Sequence, residues 1–116
     1  MITLAPEVSL DAIIARDGSR CAWCGAEVWR RDLTFEHVLP RSSGGLTSDE
    51  NAVVACKRCN RERGSRPVVA FVRARLAAGA EPQVPLIRGA LERLSESPRR
   101  RHREYGARQL GLLRRI

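Results

Sequence analysis

The chain has 116 residues, of which 43% are hydrophobic, and its 21 Lys+Arg outweigh 13 Asp+Glu to give a formal net charge of +8. That length suits one domain with a modest core, the kind that often needs a metal or disulfides as a staple. No apolar run approaches the length of a membrane span and the first 20 residues lack a secretory pattern, so a soluble, cytoplasmic chain with no membrane partner is expected. All the basic residues but Lys57 are arginine. The guanidinium fork suits phosphate, which points to a nucleic acid, with a solvated basic surface as the plain alternative.

In chain order, residues 7–17 (EVSLDAIIARD) space Val8, Leu10, Ala12, Ile13 and Ile14 for a short amphipathic helix stopped by Gly18. A first cysteine pair follows, Cys21 and Cys24 in CAWC, with Gly25 easing the turn. In EVWRRDLTFEHVLP, the residues Val28, Trp29, Leu33, Phe35 and Val38 favour extended structure, and a hairpin with Arg31 and Asp32 near its turn is expected. Residues 42–45 read as loop. The segment 51–54 leads into the second pair, Cys56 and Cys59 in CKRC, and Gly64 closes a helix that includes residues 60–63. Pro67 opens a helix ending at Gly79, and a further helix spans about 85–96 before Ser97-Pro98 breaks it. From Arg99 onward seven arginines accompany one glutamate, and Tyr105, Leu112, Leu113 and Ile116 recur near helical spacing, as in a basic amphipathic helix. His102 reads there as a solvated residue, and Trp23 and Trp29 as packing for the knuckle and hairpin. The division expected is a core at 1–66 stapled through its two cysteine pairs, a helical extension at 67–97 and a basic tail at 98–116.

Two C-x-x-C knuckles can complete one tetrahedral thiolate shell, so Cys21, Cys24, Cys56 and Cys59 are read as ligands of a structural zinc. Disulfide or redox roles fit an intracellular arginine-rich chain less well. The knuckles bracket Glu36 and His37. Strict alternation puts Leu33, Phe35 and His37 on one strand face and Glu36 on the other. The pair can serve one site only if the strand bends or ends there, which Pro40 and Gly44-Gly45 would allow. Otherwise His37 packs beside Phe35 and Glu36 is solvated. Asn60, just after Cys59, could offer a hard oxygen or cap a helix, and Asn51 could cap a turn.

The ordered set C-x-x-C, EHVLPRSSGG, Asn51 and CKRCNRERG, over roughly residues 8–67, resembles an HNH endonuclease of the zinc-bound, four-cysteine, McrA-like type. The resemblance implies an α+β fold, a small ββα-metal (His-Me finger) domain with a structural zinc, here with additional C-terminal helices. It implies hydrolysis of DNA phosphodiesters, with His37 as general base, Asn51 steadying the loop, and Glu36 and Asn60 holding a catalytic Mg²⁺ or Mn²⁺. Glu36 departs from the aspartate most common in the family. Arg41, Arg58, Arg61, Arg63 and Arg66 are expected to contact phosphates of duplex DNA, and cutting both strands with one site suggests a homodimer or two successive nicks. The competing classes are an inactive zinc-stabilised DNA-binding module and, more remotely, a protein adaptor; a pure binding module has no use for a histidine beside a hard-cation ligand.

Overall fold

The computed structural model describes residues 9–116. Helix α1 (Leu10–Asp17) begins where the Ser9 hydroxyl accepts from the Ala12 amide and ends at Gly18, whose φ is 92°. Glu7 and Val8 of the expected helix lie outside the described residues. The hairpin differs from the sequence expectation. Arg30–Asp32 form a 3-10 turn that feeds β1 (Leu33–His37), and β1 pairs antiparallel with β2 (Ala52–Cys56) rather than with the segment before it. Upstream, among the described residues, only an isolated Arg20–Glu27 bridge forms, closing the first knuckle. Trp29 is correspondingly 75% exposed and stands outside the core, contrary to expectation.

The register runs from Leu33 opposite Cys56 to His37 opposite Ala52. Successive side chains of β2 point to opposite faces, yet all five are buried, because each face has its own cover. Ala52 and Val54 join Leu33 and Ile13 under α1, while Val53 and Ala55 enter the larger core. Helix α2 (Lys57–Arg63) starts directly from β2, with the Cys56 sulfur accepting the Cys59 amide at 3.4 Å. Helices α3 (Val68–Ala77), α4 (Val84–Ser95) and α5 (Arg100–Leu113) complete the chain.

The arginine-rich tail is helical and belongs to the same core, which runs without interruption from Cys21 to Leu113. A methyl at Gly106 would collide with the Leu91 carbonyl and the Ser95 amide, so its lack of a side chain lets α5 lie directly on α4. Helix α3 has no side-chain cap of its own. Its first amides are orphans of the helix ladder, and α5 satisfies two of them: Tyr105 Oη accepts from Val68 N at 3.0 Å and Gln109 Oε1 from Val69 N at 2.9 Å. His102 also departs from expectation. It is 1% exposed, its Nε2 accepts from Leu46 N at 3.1 Å and its Nδ1 lies 2.9 Å from Glu50 Oε2. An acceptor at Nε2 fixes the tautomer with the proton on Nδ1. Helix α5 thereby holds the loop that joins the two strands. Among the described residues no helix is long and apolar enough to cross a membrane.

Candidate active site and metal centre

The four cysteines converge. Gly25, at φ 76°, turns the first knuckle so that its amide donates to the Cys21 carbonyl at 2.9 Å, and the start of α2 presents the second. None of the four is in a disulfide, and their sulfurs lie within 4.8 Å of one another. Tetrahedral zinc with Zn–S bonds of about 2.3 Å needs sulfurs roughly 3.8 Å apart, so modest tightening completes the shell. Burial pushes the Cys21 thiol up to about 11 and raises Cys59 further. Without a cation these thiols hold their protons; a divalent ion is what would keep four thiolates together here. The cluster is placed to bind a metal, and its all-sulfur donor set suits zinc.

Arg63 is the second organising centre. It sits four residues after Cys59 on α2, hence on the same inward face, and is fully buried. Its Nη1 donates to the His37 carbonyl at 2.5 Å and to Glu36 Oε1 at 3.3 Å. Its Nη2 donates to the Val38 carbonyl at 2.7 Å and its Nε to the Arg66 carbonyl at 2.6 Å. The guanidinium lies 5.2 Å from the Trp23 ring centre. Phosphate contact by Arg63 is therefore a correction to the sequence expectation: its donors are spent inside the protein, fixing where β1 ends. Arg41, Arg58, Arg61 and Arg66 are exposed.

Glu36 is 4% exposed, not solvated. Besides Arg63, its Oε2 accepts from Trp23 Nε1 at 3.0 Å. Burial raises its pKa, with Arg63 and the Trp23 bond pulling it back part way. His37, on the opposite face, packs edge-to-face on Phe35 with ring centres 5.0 Å apart and places Nε2 2.8 Å from the Thr47 hydroxyl. Its pKa is lowered, first by partial burial and then by the positive charges of Arg41 and Arg63. A neutral imidazole able to accept a proton results.

Asn60 lies inside α2 rather than capping it. Its Nδ2 donates to Thr34 Oγ1 at 2.8 Å and to the Phe35 carbonyl at 3.3 Å, which turns the amide onto β1. Its Oδ1 forms no hydrogen bond among the described residues and remains a hard-oxygen donor suited to Mg²⁺. Glu36 faces the same helix, but a cation there would share the carboxylate with Arg63 through its remaining lone pairs.

Asn51 is fully buried. Its Oδ1 accepts from Leu39 N at 2.8 Å, and its Nδ2 donates to the carbonyls of Leu39 and Leu46 at 3.0 and 2.9 Å. One side chain thus ties both ends of the loop that follows His37. Gly45 passes so close that a methyl there would overlap the Leu39 carbonyl and crowd the Asn51 amide, which accounts for its place in SSGG. Replacing Asn51 by alanine strands an amide and two carbonyls. Thermal or denaturant melting should show a loss of about 3 kcal/mol with the bound metal retained.

Sequence reasoning missed the roles of Thr47, His102, Tyr105 and Gln109, which come from segments where charge or loop composition dominates. Arg63 had a usable signal, its four-residue spacing from a metal-ligating cysteine.

Residues 21–75 match the family model described as HNH endonuclease. A CRISPR-associated endonuclease Cas9 from Corynebacterium diphtheriae is 34% identical over 55 residues, covering 47% of this chain and 5% of that protein. The crystal structure of the Type II-C Cas9 enzyme from Actinomyces naeslundii superposes with a TM-score of 0.54 at 19% identity, over 90% of this chain and 12% of that one. The family-model match spans both knuckles and the candidate site, and the likeness to the solved structure extends over most of the chain. The chain thus spans a small fraction of either relative.

Proposed function

We propose, from the match of residues 21–75 to the HNH endonuclease family model, that this chain hydrolyses phosphodiester bonds of DNA at the end of β1. The observation that carries the reading is His37. It is neutral, partly open and held at the end of a strand whose last carbonyl is pinned by Arg63. In this mechanism the His37 imidazole takes a proton from a water as its oxygen attacks phosphorus. The P–O3′ bond breaks, the 3′ oxygen leaves and is protonated from solvent, and the products carry 5′-phosphate and 3′-hydroxyl ends. His37 then returns its proton to solvent. Asn60, through its open Oδ1, and Glu36, through a shared carboxylate, would hold Mg²⁺ or Mn²⁺, which supplies charge stabilisation at the phosphate and leaving oxygen. Asn51 and Thr47 hold the loop and the imidazole in register. The four-cysteine zinc is closed and structural.

One observation favours the inactive binding module: the Glu36 carboxylate is already satisfied by Arg63 and Trp23 without a second cation. The test is nicking of supercoiled plasmid with Mg²⁺ or Mn²⁺ added or omitted, beside His37→Ala shown to keep its fold and zinc. Metal-dependent nicking that falls by about 10²–10⁴-fold in the variant supports the nuclease. DNA binding by both proteins with nicking by neither, under any metal, supports the module.

A further inference from the structure

Beside the loop that follows His37 lies a cavity of about 510 Å³ between that loop and α5, walled by Leu39 and Ser43 on one side and by Arg101, Tyr105 and Arg108 on the other. Leu39 is two residues from His37, and Arg101 lies against Gly44, three residues from the Thr47 that His37 Nε2 meets, so the cavity and the proposed reaction centre share one loop. The charges on its helical wall are unequal. Arg100 is paired with Glu104 at 2.7 Å, whereas Arg101 and Arg108 are exposed and form no ion pair among the described residues. Arg101 extends over Gly44, where a side chain would run into it. Tyr105 forms a half-buried floor, its hydroxyl committed to Val68 N. Arg101 and Arg108 are seven positions apart, about 10 Å along the helix, too far apart for both to grip one phosphate but within reach of a short run of them. Two charges so spaced over an open cleft fit a run of phosphates better than a single small anion.

We propose that this cleft is a backbone groove for a DNA strand, in which Arg101 and Arg108 take phosphates flanking the one presented to His37. The groove rests on the nuclease reading for that geometry, but its affinity can be measured without cleavage. Each phosphate neutralised releases counterions, so the slope of log affinity against log salt falls by about 0.9 for each contact removed.

The experiment titrates a short fluorescein-labelled DNA duplex by anisotropy across a salt series, for wild type, R101Q/R108Q, R101K/R108K and R73Q/R88Q. The last removes equal charge from exposed positions on α3 and α4. The cleft glutamine variant should flatten the slope by about 2, the lysine variant should preserve it, and the α3/α4 variant should change it far less. In nicking, R101Q/R108Q should raise KM and leave kcat intact. The groove is overturned if the two glutamine variants behave alike, if the slope is unmoved in R101Q/R108Q, or if wild type does not bind duplex at all. Should wild type bind but never cut, the nuclease reading fails while the slopes still decide the groove.

Discussion

Removing the metal from the four-cysteine cluster should unfold the chain. The ligands come in two pairs far apart in sequence, and Cys21, Cys56 and Cys59 are themselves part of the main core. A structural zinc site contributes about 10–16 kcal/mol, comparable to or larger than the whole stability of about 5–15 kcal/mol typical of a domain. Once the ion leaves, nothing bonds the four sulfurs together across a space shaped for one tetrahedron. A zinc-selective chelator should abolish the cooperative melt and most of the helical circular dichroism, and one equivalent of zinc should restore both. Cys59→Ser should behave like the chelated wild type. Helical signal and a cooperative melt persisting in metal-free protein would show that the core stands without its staple.

Arg63→Met should be the most damaging change outside the cysteines, costing about 3–5 kcal/mol because it leaves the buried Glu36 charge without its partner. The carbonyls of His37 and Val38 lose their donors as well, so the end of β1 should loosen. Nicking should fall even where the protein is held folded at low temperature with its zinc bound. The double variant Glu36→Leu with Arg63→Met separates the two contributions. Replacing a buried pair by apolar groups is often nearly neutral, so stability should return in part, limited by the two carbonyls still unpaired. A double variant no more stable than Arg63→Met alone would mean that the ion pair contributes nothing and the carbonyl bonds everything.

The local chemistry of this chain was readable where spacing alone constrains it. Two C-x-x-C knuckles have few uses in an arginine-rich chain, and the sulfurs do meet. The helices after Pro67 carry apolar periodicity and clear stops, and they form within one or two residues of expectation. Strand pairing was not readable, because Val28 and Trp29 have the same extended preference as Leu33 and Phe35, and local preference does not say which segment pairs with which. β2 won because it can be covered on both faces. The charged interior was hidden for a similar reason. Arg63 and His102 sit in strings of arginine that composition assigns to the surface, and only the tertiary fold supplies the carbonyls and the carboxylate that let each be buried. Glu36 shows the converse: alternation put it on the face opposite His37, as found, but not the Trp23 and Arg63 side chains that wait there.

The trans capping of α3 by Tyr105 and Gln109, with the grip of His102 on the strand-joining loop, bears on where this piece of machinery could be cut. A segment ending at residue 75, where the family likeness ends, would keep every cysteine, His37, Asn51 and Asn60. It would also leave two helix amides bare and free the loop from its outer tether at Leu46 and Glu50. For grafting into another protein, the transplantable unit is set by what α5 holds together and extends to Leu113, well past the last residue of the recognisable motif.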